Sequence, residues 1–169
     1  MFLTAAALSI AASALLQTTP PPPCEGSPYD DFDFWIGTWD VHDKNGDLAG
    51  RNVITEEEDG CLIVERWTSA TGSTGQSYNY YDLGSESWRQ VWVSRGITID
   101  YMGGLDDDGR MVLEGSIAYR NNPGRAAPFR GTWTPHDDGS VTQSFYQYNV
   151  ETDEWDEWFI GEYRPAAEE

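Results

Sequence analysis

One run of alternating residues places a carboxylate among indoles. Along Leu62–Trp67, Ile63, Glu65 and Trp67 share one face of an extended chain while Leu62, Val64 and Arg66 share the other. The next run gives Ser77, Asn79 and Tyr81 against Tyr78 and Tyr80. The one after it sets Trp88, Gln90 and Trp92 against Arg89, Val91, Val93 and Arg95. Arginines belong in water, so the arginine-free faces should point inward together. Glu65, Trp67, Asn79, Tyr81, Gln90 and Trp92 then form a band of aromatic rings and convergent polar groups, the composition of a small-molecule pocket. By the same alternation Asn52, Gln143 and Phe145 join the band. Glu65 is the one acidic side chain so placed, and burial would raise its pKa toward that of a general base. Two readings stand beside ligand binding: an enzyme acting on a small apolar substrate through Glu65, and a structural barrel whose polar groups satisfy one another in a filled core.

Other chemistry is short of parts. His42 ends a strand-like run and His136 lies in the turn "PHDDG", so neither falls on the inward band. The chain has no G-x-S-x-G, no glycine-rich phosphate loop and no H-E-x-x-H. The acidic runs Glu56–Asp59 and Asp106–Asp108 lack the alternating ligands of a calcium loop. Two cysteines and two distant histidines do not make a zinc site. No metal or cofactor is expected.

The elements that hold such a band are short. Runs rich in aromatic and β-branched residues alternate with Gly, Asp and Asn turns about every ten residues, the pattern of an antiparallel all-β meander. They are 34–42, 48–55, 61–68, 76–82, 87–95, 97–103, 111–119, 129–134, 141–148 and 154–163, joined by turns such as "KNGD", "DDDG" and "HDDG". Closing ten strands into an up-and-down β-barrel removes the edges an open sheet would expose. A two-sheet sandwich is the alternative. No apolar repeat at helical spacing is sustained, so at most a short turn is expected near 28–31.

The chain has 169 residues, and no charged side chain precedes Glu25. Residues 1–23 read as a signal peptide and proline-rich leader: Phe2 to Ile10 is apolar, Ala12-Ser13-Ala14 has the small residues of a cleavage site, and the stretch is shorter than the ~20 residues a bilayer span needs. Residues 24–169 read as a single barrel domain. An exported protein, periplasmic or extracellular, is expected, with no membrane association after cleavage. The pair Cys24 and Cys61 suits a disulfide in that compartment. All 29 acidic and 10 basic residues follow the leader, and the net charge of −19 disfavours nucleic acid as a partner. The sequence sets no oligomeric state.

The stretch "FDFWIGTWDV" contains Gly37-Thr38-Trp39, which resembles the G-x-W of the first strand of lipocalin-like (calycin) barrels, where the tryptophan plugs one end. With "GCLIVERW", "YNYYD", "WRQVWV", "RGTWTP" and "GEYR", the chain from Phe32 to Arg164 resembles a group of exported bacterial proteins and, more distantly, the nitrobindin-like barrels. The resemblance implies a closed antiparallel barrel with a central cavity. Nitrobindin-like barrels hold haem iron through a histidine, and the inward band here has none. Trp35, Gly37 and Trp39 are expected on one face of the first strand as a structural plug, the glycine admitting close approach of backbone.

Overall fold

The structure, a computed structural model, describes residues 23–167. The signal peptide expected within residues 1–22 lies outside the described residues. Ten strands form a closed antiparallel barrel: β1 (Gly37–Asp43), β2 (Leu48–Glu57), β3 (Leu62–Ser69), β4 (Thr74–Asp82), β5 (Ser87–Ser94), β6 (Ile97–Leu105), β7 (Met111–Tyr119), β8 (Ala126–Pro135), β9 (Val141–Asn149) and β10 (Glu154–Pro165). Each strand pairs with its neighbours in sequence, and β1 closes the barrel on β10. Every strand thus has a partner on both sides, and the sandwich alternative falls away.

The first run departs from the sequence reading. Its strand begins at Gly37, not Phe34, because Tyr29–Trp35 forms a 3₁₀ helix. Trp35 is therefore not on the β1 face with Gly37 and Trp39. In a 3₁₀ helix residues three apart lie above one another, which aligns Phe32 with Trp35 on the buried side. Gly37 makes the junction, with a φ of +150° and the Trp39 ring 3.3 Å from where its Cβ would stand. The Trp39 indole N–H donates to the Trp35 carbonyl at 3.0 Å.

The helix fills one end of the barrel. Phe32 stacks on Trp35 at 5.0 Å and meets Trp88 and Trp133 edge-on at 5.7 and 5.2 Å. Both helical rings are fully buried, and burial of an aromatic side chain of this kind contributes about 1.5–3 kcal/mol. The Trp88 indole N–H donates to the Pro28 carbonyl at 3.0 Å, fixing the helix entry to β5. The Cys24–Cys61 disulfide joins the segment before the helix to the β2–β3 connection, with Cα atoms 5.0 Å apart.

Antiparallel order sends the ends of β2, β4, β6, β8 and β10 to this plugged end, and the ends of β1, β3, β5, β7 and β9 to the other. Register aligns the lumen residues around the wall. Glu65 lies opposite Ile54 and Ser77, Asn79 opposite Gln90, and Gln90 opposite Tyr101. A one-residue slip in any pair would turn these groups out and arginines in.

Candidate functional site

A belt of hydrogen-bonded side chains crosses the lumen at mid-height. From one side the Tyr101 hydroxyl donates to Gln90 Oε1, the Gln90 amide donates to Asn79 Oδ1, and Asn79 Nδ2 donates to Ser77 Oγ at 2.9 Å. Ser77 Oγ donates to Glu65 Oε2 at 2.6 Å. From the other side Asn52 Nδ2 donates to Glu65 Oε1 at 2.7 Å and to the Tyr163 hydroxyl at 3.1 Å, and that hydroxyl donates to Gln143 Oε1 at 3.1 Å. Donors therefore converge on Glu65 from both directions. All eight side chains are buried, and such a network fixes register and orientation together.

Glu65 is 4% exposed. Burial pushes its carboxyl up to about 7, and the hydrogen bonds from Ser77 and Asn52 only partly offset that rise. Desolvation of the charged form outweighs two neutral donors, and among the described residues no cation stands beside it. Burial likewise holds the Tyr101 and Tyr163 phenols well above their ordinary range, so both are neutral donors.

Between the belt and the unplugged end lies a cavity of about 170 Å³. Glu65, Gln90, Gln143, Tyr101 and Tyr163 bound it on the belt side; Trp67, Trp92, Ile99, Phe145, Trp158 and Phe159 form the walls. Two of the indoles rest on glycines. A Cβ on Gly50 would come within 2.6 Å of the Trp67 ring, and one on Gly75 within 2.1 Å of the Trp92 ring.

Besides Phe145, five of the residues singled out in the sequence thus meet on the cavity surface: Glu65, Trp67, Gln90, Trp92 and Gln143, six in all. Asn52 and Asn79 belong to the belt behind that surface. Tyr81 is displaced from the site altogether, because the plugged end takes it: it packs edge-on against Tyr29 at 5.6 Å. The arginines of the opposite faces lie outside, Arg66 paired with Glu57 at 3.0 Å and Arg89 with Asp100 at 2.7 Å. Neither histidine lines the cavity. His42 lies on the β1 face opposite Val41, and the exposed His136 ring contacts Thr142 Oγ1 at 2.7 Å.

Ile99, Tyr101, Tyr163, Trp158 and Phe159 escaped the sequence reading. For the two tyrosines a signal existed: Asp100 and Met102 flank Tyr101, and Glu162 and Arg164 flank Tyr163, so alternation places both rings inward. Trp158 had none. Register in the β9–β10 ladder shifts between Glu157 and Phe159, which leaves Trp158 as an extra residue and turns two successive rings toward the cavity. Its indole N–H donates to the Tyr119 hydroxyl at 3.0 Å, linking β10 to β7.

In comparisons with known proteins, no family model and no curated protein matches the chain.

Proposed function

We propose that the protein is an exported, calycin-type barrel that binds a small aromatic or amphiphilic molecule in this cavity. The observation that carries the reading is the unequal filling of the barrel. One half is packed solid with Phe32, Trp35, Trp88 and Trp133, while the other leaves about 170 Å³ between aromatic walls and a polar belt. An apolar cavity of about 150 Å³ accommodates benzene, so the space suits a ligand built on one substituted ring or a compact branched group. The closed ten-strand meander and Trp39 at the plugged end support the calycin likeness. The apolar run Phe2 to Ile10, the small residues Ala12-Ser13-Ala14 and the Cys24–Cys61 bond support export.

Native mass spectrometry of protein purified from an exporting host tests this reading. A retained small molecule, lost on unfolding, is expected. Protein that carries none, and whose tryptophan fluorescence is unmoved by a library of single-ring compounds, would contradict it.

A second reading has one observation in its favour. A carboxyl raised to about 7 at a cavity surface is suited to proton abstraction near neutral pH. Turnover of a small ester, epoxide or carbonyl compound, lost in Glu65→Gln, would establish that enzyme.

A further inference from the structure

We infer that the cavity is a site for a small organic cation, a substituted ammonium held among Trp67, Trp92, Phe145 and Trp158 with Glu65 as its counter-ion. The inference rests on the cavity being a ligand site and names the ligand's class.

The belt presents one charge without a partner. Its other members are amides, hydroxyls and phenols, whereas Glu65 is a carboxylate whose hydrogen-bond partners, Ser77 and Asn52, are both neutral. Each of its oxygens accepts one hydrogen bond, although an ionised carboxylate offers about four lone-pair sites. Glutamine would fill the same space with no buried charge and give up one of the two accepted hydrogen bonds, since its amide nitrogen only donates. An uncompensated buried carboxylate is costly, and a cation brought into contact with it removes most of that cost. No Lys, Arg or His side chain lines the cavity to do so.

The walls suit the same ligand. Trp, then Tyr and Phe, attract a cation through the ring face, and several rings around one ammonium form the cage by which quaternary ammonium groups are recognised. Here Trp67 and Trp92 are seated on Gly50 and Gly75, Phe145 lies 6.1 Å from Trp158, and Trp158 is held by its hydrogen bond to Tyr119. A neutral ring would fill the walls and leave Glu65 as it was; an anion would be repelled. The net charge of −19 draws cations toward the protein and holds anions away.

Proton release gives the inference a signature. Glu65 is faced by Asn52 and Ile54 from β2, Ser77 from β4, Gln90 from β5, Tyr101 from β6, Gln143 from β9 and Tyr163 from β10, and both phenols stay neutral. Glu65 is the group among them that titrates near neutral pH. A cation that selects its ionised form must displace the proton, so affinity should rise about tenfold from pH 6 to pH 8.

Calorimetry with tetramethylammonium, choline and benzylammonium, against the neutral 3,3-dimethylbutanol and benzyl alcohol, tests this. The expected result is binding of the ammonium compounds at least tenfold tighter than the neutral ones, strengthening from pH 6 to pH 8. Below pH 7 the heat should depend on the buffer, as proton release requires. Glu65→Gln should lose most of the preference; the proton count on the unaltered protein needs no variant. Neutral compounds binding as tightly as the ammonium compounds, with no proton released, would overturn the cation and leave the small-molecule site standing. Failure of both sets to bind, with tryptophan fluorescence unmoved, would overturn both.

Discussion

The Trp92 indole occupies the place that a side chain at position 75 would take: a Cβ on Gly75 would lie 2.1 Å from its ring. The ring can give way only into the cavity that its other flank bounds. Gly50 seats Trp67 in the same way. Two glycines on strands flanking β3 thus set where the indoles stand, and through them the shape of the cavity.

Gly75→Ala should therefore act through sterics alone, since Gly75 has no positive φ to lose. Crowding of this kind costs about 1–3 kcal/mol, read as a lowered midpoint in urea unfolding. Gly104→Ala is the control: a Cβ there meets nothing within 4 Å, and its midpoint should stay within about 0.5 kcal/mol of the parent. Equal effects at the two positions would refute the seating.

Stability should depend on pH through Glu65. Its folded carboxyl titrates at about 7, above the ordinary 4.5, so the native state keeps a proton that the unfolded chain gives up over that interval. The contribution is fully present below pH 4.5 and is lost as pH rises through 7, roughly 3 kcal/mol in all. Glu65→Gln removes the titration. Its stability relative to the parent should improve from pH 5 to pH 8, measured by urea unfolding at each; a difference that stays constant would mean that Glu65 does not titrate there.

Reducing the Cys24–Cys61 bond, which closes a sequence separation of 37 residues, should lower stability by about 4 kcal/mol in the chain-entropy treatment. Unfolding midpoints with and without reductant give the value. Two thiols alkylated in the native protein would show that the bond does not form.

Much of the site was legible because charge marked the outer face. Arg66 and Arg89 alternate with Glu65, Gln90 and Trp92, so one rule placed β3 and β5, and β4 between them followed. The rule failed where the period changed. "FDFW" alternates aromatic and acidic residues as a strand does, yet its aromatics Phe32 and Trp35 are three apart and fold as a 3₁₀ turn. The bulge at Trp158 adds a residue with no mark of its own in the sequence. Tyr81 kept the inward face of β4 but lay too far along it, and periodicity carries no measure of height in a barrel. The belt itself could be anticipated as a set of polar residues, but not in its order, which depends on strand register.

The central claim is that the half of the barrel beyond the belt receives a ligand, and the indole N–H resonances test it most directly. Titration with single-ring aromatic and ammonium compounds, followed by nuclear magnetic resonance, should move the signals of Trp67, Trp92 and Trp158. Those of Trp35 and Trp133, buried at the plugged end, should stay in place, as should that of Trp155 beside Arg130 on the outer surface. Shifts confined to Trp155, or no shift at any indole across the library, would contradict the account.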